Sequence, residues 1–535
     1  MYRRLRYSAI LAASFLLLGN TADARTLIWA PSRDALTLDP HAVNEAHTLG
    51  FVQQMYEPLV KRGYNGELEP ALAVSWNMTG DSRIWEFHLR PDVVFHDRSP
   101  FTADDVVFSL RRAMAETSDM RGLLTTVESV ARIDDRTVQV TTKSPDPLLP
   151  QNLTYVFMMS KAWSEANGAE VPPSFQDNRI GYATEHANGT GPYVLVSRSA
   201  GLQTKLRRFE EYWGKGDFPS EAVGVTELIY QVIGDPATRV QALNNGEVDF
   251  VQDLPVQDVD KLANTEGLHV ATGAENRTIF LGFNVADGEN EAGYTNAPGG
   301  NPFADAQVRE AINLAIDREA ISQITMDGRS VPAGEIVPPG VNGYNPDFDA
   351  VPTVDVEQAR ALMNDAGLAD GFSTTLHCPN DRYINDEKIC QSVAQQLARI
   401  GIDVTVSARS RQEHFPEVQR GELDFYLLGW GVATYDSSNI FSFLYHTTTT
   451  ERGGWNGTNY SNPQIDAAIY DIDKEIDENR RNEKIAEVWA ILHPEHIYVA
   501  IHHQVLAWGM TDALEASVRV HPDNALWVKD FRFVD

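Results

Sequence analysis

The sequence predicts a chain of mixed α/β or α+β lobes, and three observations carry that expectation. Strand-period and helix-period hydrophobic patterns mix irregularly along 535 residues, without the single repeating βα unit of an eight-fold barrel. At about 100–200 residues per domain, the length allows two to four folded units, each with its own core. One passage also occurs twice. Val240-Gln241-Ala242-Leu243 leads to Gly246-Glu247-Val248-Asp249-Phe250, and Glu417-Val418-Gln419-Arg420 leads to Gly421-Glu422-Leu423-Asp424-Phe425. In both, a helix stops at a glycine and the chain turns into an apolar strand. This fits two similarly built lobes facing a cleft, or shared helix-stop chemistry alone.

Taken in order, Met1–Ala24 reads as a secretory signal peptide. Arg3, Arg4 and Arg6 precede the apolar run Ser8–Leu18, and Ala22-Asp23-Ala24 supplies a small-residue cleavage site. No cysteine lies near that site, so an exported product without a lipid anchor is expected. Thr26–Ala30 is a short apolar strand, followed by a loop and a helical pattern over Thr48–Val60. Trp85, Phe87 and Leu89 alternate with Glu86, His88 and Arg90, the period of a half-buried strand, and Val93–His96 reads as a second one. Thr102-Ala103-Asp104-Asp105 resembles a capping box opening the helix Val106–Ala115. Gly189-Thr190-Gly191-Pro192 is a turn before the strand Tyr193–Val196, since Pro192 lacks a donor that a phosphate loop needs. The polar stretch Asp287–Asn301 should be an exposed loop after the strand Thr278–Asn284. Pro302–Ile321 is a predicted helix, and Asn385–Ile400 is another, stopped by Gly401 ahead of the strand Ile402–Ser407.

The charge balance, 44 Lys+Arg against 75 Asp+Glu for a net −31, argues against nucleic acid as a partner. Beyond the N-terminus no apolar run is long enough to span a bilayer. Nucleophile elbow, zinc-helix and Walker patterns are all missing, so no enzyme and no cofactor are expected. His493-Pro494-Glu495-His496 with His502-His503 is the densest group of metal-ligand types. Pro494 disturbs the helical spacing a metal would need, so no metal site is assigned. Two cysteines, Cys378 and Cys390, exclude a multi-bridge scaffold; in an oxidising compartment they can pair, with two buried thiols as the alternative. The most informative segment is Tyr426–Asn439. An apolar strand there ends in a glycine-rich, aromatic and polar loop, in which Gly429 and Gly431 flank Trp430. Such a loop can bring backbone and a flat indole to a ligand, or pack a core Trp beside a bulge.

Several blocks then match a known family in order. They include Leu38-Asp39-Pro40-His41, Tyr56-Glu57-Pro58-Leu59-Val60 and Leu68-Glu69-Pro70-Ala71-Leu72-Ala73. Trp85-x-Phe87-x-Leu89-Arg90, Val94-Phe95-His96-Asp97 and Pro100–Val106 form the most specific group. Gly189–Tyr193, Pro302-Phe303-x-Asp305, Val308-Arg309-x-Ala311-Ile312 and Ala315-Ile316-Asp317-Arg318 complete the set. With these the chain resembles the large extracytoplasmic solute-binding proteins of bacterial ABC importers, family 5, the dipeptide-, oligopeptide- and nickel-binding group.

That resemblance implies an enlarged type II periplasmic binding protein fold, with two lobes that close over a ligand. The lobe I core would be 25–56, 190–274 and 506–535, the extra subdomain 57–189, and lobe II 275–505. It further implies a monomeric periplasmic protein that delivers a peptide-like or other small organic solute to a membrane permease. Peptide-binding members pair the ligand amine with an aspartate three residues past the loop tryptophan; the matching position here is Ala433, and Asp436 is the acid that can replace it. Arg382 matches the arginine that holds the ligand carboxylate, its other reading being an ion pair with Asp381 or Asp386. Trp430, Gly431, Ala433, Tyr435, Asp436 and Arg382 are therefore the candidate ligand-binding residues. The loss of an acid at 433 keeps open an oligosaccharide or opine-like ligand stacked on Trp430 and Tyr435. A nickel or other metal-chelate carrier using His446 or His502 is a further reading, and a secreted hydrolase is the last.

Overall fold

The computed structural model describes residues 25–174, 179–220, 223–286, 293–515 and 518–534, so the expected signal peptide lies outside the described residues. Thr26–Ala30 is a strand, as its pattern predicts, and runs parallel to both Glu227–Gln231 and Phe250–Val251. Leu27 and Trp29 enter a core that includes Phe51, Tyr230 and Phe250. The helix that follows is shorter than the pattern suggests. It spans Ala46–Val52, capped by the Glu45 carboxylate accepting from the Thr48 backbone N–H, and the chain then turns into the strand Val60–Arg62. Pro58, which lacks an amide donor and disfavours a helical residue before it, lies in that interval.

Ala73–Met78, Ile84–Leu89, Thr137–Thr142 and Val127–Arg132 form a four-stranded antiparallel sheet. The helix Ala103–Ala113 has its buried face toward this part of the core and begins at the expected capping box between Thr102 and Asp105. Val93–His96 is not a strand. Asp92 and Arg98 take left-handed backbone conformations, and only an isolated bridge joins Val94 to Pro100. Asp39 and Arg112 form a fully buried ion pair, with Arg112 Nη2 2.5 Å from Asp39 Oδ2. Burial pushes Asp39 up, but the Arg112 charge and its hydrogen bond outweigh it and hold the carboxyl below its ordinary value.

The largest sheet among the described residues has 12 strands, and its spine is the antiparallel ribbon of Leu268–Phe283 against Tyr498–Thr511. Near the N-terminal half of Leu268–Phe283 the ribbon joins Thr26–Ala30 and Glu227–Gln231 through Phe250–Val251. Near the C-terminal half it joins Phe425–Gly431 and, beyond that, Phe372–Pro379 and Ile402–Arg409. Between the two halves the register breaks at a bulge between Ala274 and Thr278. Bulges turn side chains away from regular pleat directions, and here they turn Glu275, Asn276 and Arg277.

Phe425–Gly431 is a continuous apolar run because the sheet is covered on both faces. Phe425 and Leu427 pack with Phe283, Phe303 and Ile389 on one side; Tyr426 and Leu428 pack with Phe280, Phe441 and Trp489 on the other. Both copies of the repeated passage behave as their sequences predict. Helices Pro236–Asn244 and Arg411–Gln419 each end before a glycine in the left-handed region, Gly246 (φ 70°) and Gly421 (φ 65°). The predicted helix Pro302–Ile321 is interrupted: Ala306–Ala315 ends at Ile316, and Asp317 re-caps a second segment from Arg318. The expected loop over Asp287–Asn301 is only partly described, and Thr295–Asn296 in it adds a short edge strand to Phe372–Pro379. No helix of the described residues is long and apolar enough to cross a membrane.

Candidate functional site

The bulge brings distant segments of the chain to one place. Asn276 N–H donates to the Pro522 carbonyl at 2.8 Å, and Asn276 Nδ2 donates to the Val432 carbonyl at 2.8 Å. One residue thus ties the C-terminal return segment to the loop after Trp430. Beside it opens a small cavity, lined by Arg33, His47, Asp253, Glu275, Arg277 and Arg382 among others. A second small cavity lies against Tyr56, Lys61, Arg62, Tyr155 and Trp527. The two share Ala46, Gly50 and Asp523 in their walls.

Within the first cavity Arg33, Glu275 and Arg277 are matched by ion pairs. Arg277 Nε lies 2.9 Å from Glu275 Oε1, and Gln504 donates to the other Glu275 oxygen. Burial alone lowers Arg277, yet the Glu275 charge more than offsets this and its pKa is raised. Arg33 and Arg411 both approach Glu45 at 3.5 Å. Burial raises Glu45, but His47, Arg33 and Arg382 together hold it at about 2. Arg382 differs. Its guanidinium sits over the Tyr383 ring at 5.0 Å, and among the described residues no carboxylate comes within ion-pairing distance. Burial, then the Arg277 charge, push its pKa down, the sign of a cation short of a countercharge. The ion pairs with Asp381 or Asp386 are not formed: Asp386 accepts the backbone N–H groups of Arg382 and Tyr383, and Asp381 accepts that of Arg411.

The loop after Trp430 carries the other candidate residues, and each has contacts within the protein. Asp436 is paired within the protein. Its buried carboxylate takes two hydrogen bonds from Arg481, one of 2.7 Å, together with one from Asn342 at 2.8 Å, and also caps the Ser438 backbone. Burial raises it, and Arg481 reverses that, leaving the pKa lowered. The indole of Trp430 donates to Asn439 at 2.9 Å, packs against Phe443 and Trp455, and lines neither cavity. Tyr435, at φ 55°, has the Arg62 guanidinium 4.4 Å above its ring, so that face is closed to a sugar. Its hydroxyl donates to Asp523 at 2.9 Å. Gly431 makes room for protein rather than ligand, since a Cβ there would lie 3.1 Å from Arg277 Nη2 and from the Asn276 carbonyl. Ala433 offers only its carbonyl, which accepts from Arg62 at 3.3 Å.

Cys378 ends a strand and Cys390 lies on the helix Asp386–Leu397; their sulfurs are at bonding distance. The loop they bracket carries Arg382. The histidine group does not converge, and no cluster of three metal-ligand types exists among the described residues. His493 stacks on Phe348, His503 meets Asp349 at 3.1 Å, and His446 contacts the Thr447 carbonyl. Sequence reasoning missed Arg33, Asp253, Arg277 and Asp523. Only Arg277, placed just before a clearly patterned strand at the expected lobe crossing, carried a usable signal.

With this geometry in hand, comparison with known proteins places the chain. The family described as "Bacterial extracellular solute-binding proteins, family 5 Middle" matches residues 67–452. The glutathione-binding protein GsiB of Pectobacterium atrosepticum is 27% identical over 460 residues, covering 83% of this chain and 83% of that protein. Two solved structures share the fold. One is the periplasmic binding protein AgaA of A. tumefaciens R10 in complex with agropinic acid, with a TM-score of 0.79, 22% identity, and 95% and 99% of the two chains covered. The other is a dipeptide-binding protein of Pseudoalteromonas sp. SM9913 in complex with Met-Leu, with a TM-score of 0.80, 21% identity, and 95% and 100% covered. Because the family match spans most of the chain and the whole fold aligns end to end, this chain belongs to the bacterial extracellular solute-binding proteins of family 5.

Proposed function

We propose that the protein is the solute-binding component of an ABC importer and captures a small peptide-like solute between its lobes, with a ligand carboxylate on Arg382. The observation that carries this reading is the guanidinium of Arg382, set in the interlobe cavity with no carboxylate at ion-pairing distance among the described residues and Glu45 acting on it only from farther away, while its neighbours Arg33 and Arg277 are paired. A cation short of a partner in a low-dielectric cleft is stabilised by a carboxylate brought in by the ligand. Relatives named for glutathione and structural neighbours holding a dipeptide or an opine support small carboxylate-bearing solutes as the class. Ala433, where the resemblance implies an acid, favours an opine-like solute without a free amine as the second reading.

The lobe crossings are inferred at Ala274 and at Val505-Leu506, where the ribbon changes neighbours beside its bulge. We further infer that residues 1–24 direct export and are removed, that the mature chain works as a monomer in the periplasm without catalysing a reaction, and that Cys378 and Cys390 are bonded there. The bond would close a short loop around Arg382 and restrict it before ligand arrives. The test is thermal unfolding of the mature protein with glutathione, Met-Leu and agropinic acid. A true ligand at about a hundred times its Kd adds about 2.7 kcal/mol and raises the midpoint. Arg382→Ala is expected to abolish the rise; an unchanged rise in that variant rejects the assignment.

A further inference from the structure

We propose that Asp523, on the C-terminal return segment of the first lobe, is the acid that receives the ligand's ammonium group, so that the cleft selects small zwitterions. This rests on the carboxylate reading of Arg382 and extends it to the other end of the ligand. The return segment is held rigidly. Pro522 accepts from Asn276 at 2.8 Å, and Asn524 accepts from Trp508 at 3.0 Å and donates to Asp253 at 2.8 Å. Asp523 therefore stands in a fixed position in the shared wall of both cavities.

Its carboxylate has hydrogen-bond donors but no countercharge. The Tyr435 hydroxyl donates to Oδ1 at 2.9 Å, with the Tyr155 hydroxyl beside it. His521 Nδ1 lies 4.0 Å from Oδ2, yet that nitrogen accepts the Asp523 backbone N–H at 3.1 Å and so carries no proton to share. Among the described residues, no Lys or Arg nitrogen reaches ion-pairing distance of Asp523 or of its neighbour Asp253, whose partner is the neutral Asn524 amide. One cavity thus holds a cation, Arg382, from one lobe and two carboxylates without a cationic partner, Asp523 and Asp253, from the other. Of the two, Asp253 already accepts from the Asn524 amide at 2.8 Å, whereas Asp523 also stands in the wall shared with the second cavity. A molecule with a carboxylate and an ammonium satisfies Arg382 and Asp523, where a buried charge without a partner is costly. Because the two come from opposite lobes, the zwitterion itself bridges them, and binding is coupled to closure. The loop residue Ala433 has no part in charge recognition; Asp523 supplies from across the cleft what that loop lacks.

The test is calorimetric titration of the wild-type mature protein, Asp523→Asn and Arg382→Ala with glutathione, Met-Leu and N-acetyl-Met-Leu. The Asn side chain still accepts from the Tyr435 hydroxyl, so the ligand-free unfolding midpoint of Asp523→Asn is expected to match wild type. Wild type should prefer a free-amine peptide over the acetylated one by about tenfold or more, and Asp523→Asn should lose that preference together with at least about tenfold in affinity for the free-amine peptide. Equal binding of Met-Leu and N-acetyl-Met-Leu by wild type overturns the proposal. So does full retention of amine preference in Asp523→Asn. If Arg382→Ala loses binding and Asp523→Asn does not, the zwitterion inference falls while the carboxylate site stands. If no carboxylate-bearing probe binds wild type, both fall.

Discussion

Two acidic residues near the cleft show how the same functional group takes different roles according to what surrounds it. Asp436 is enclosed by Arg481, Asn342 and Ser438 and works as a helix cap and an anchor. Among the described residues, the Asp523 carboxylate meets hydroxyls and a proton-free imidazole nitrogen. A third acid, Glu335, is buried with one carboxylate oxygen lacking a partner among the described residues. Burial, with the Asp349 charge adding to it, pushes its pKa up to about 8. An unfolded carboxyl titrates near 4.5, so between these values the folded chain holds a proton that the unfolded chain has released. Glu335 therefore favours the folded state fully below about pH 4.5, and that contribution is lost as the pH rises toward 8. Glu335→Gln should remove this slope. Relative to wild type, the variant is expected to gain about 2–4 kcal/mol of unfolding free energy on going from pH 5 to pH 8, read from urea titrations at both values. Parallel pH profiles for the two proteins would contradict the assignment.

At the level of elements, local patterns transferred well wherever one face or one cap decides the outcome. The strand Ile84–Leu89, the capping box at Thr102, the helix ending at Gly401 and the doubled helix–glycine–strand passage all formed as read. Misreadings came where tertiary contacts override the pattern. Val93–His96 is apolar because it enters the core, with Val93 and Phe95 buried, and not because it pairs in a sheet. The turn at Gly189 shows the reverse case, a local signal with a strong tertiary requirement. A Cβ on Gly189 would fall 2.0 Å from the Met55 carbonyl oxygen, and one on Gly191 2.6 Å from the Met55 carbonyl carbon. The Gly191 N–H also donates to that same oxygen at 2.9 Å. Gly189→Ala is therefore expected to cost about 3 kcal/mol or more in a urea titration, because backbone on both sides has to shift. Gly122→Ala, with nothing within 4 Å of the added carbon, serves as the comparison and should stay within about 0.5 kcal/mol.

For the whole molecule, on the proposed lobe division, several contacts cross the cleft as a closed form requires. Arg62 reaches the Ala433 carbonyl and covers Tyr435, Tyr435 reaches Asp523, Arg411 approaches Glu45, and Arg329 meets Asp260. Arg62 contributes two of these, so Arg62→Ala should favour the open form. The expected result in small-angle scattering at saturating ligand is a larger radius of gyration than wild type, with affinity reduced about three- to tenfold. An unchanged radius would show that the ligand alone holds the lobes together. What the sequence determined by itself was the set of local periods, caps and stops, and an ordered series of blocks sufficient to assign the family, because these depend on residues a few positions apart. The pocket was less legible. Arg382 was found through the family resemblance, whereas Arg33, Asp253, Arg277 and Asp523 stand far apart along the chain in segments of ordinary composition. Only the tertiary structure decided which of those charges meet and which stay unmatched, since electrostatic pairing acts over a few ångströms and follows the path of the folded chain.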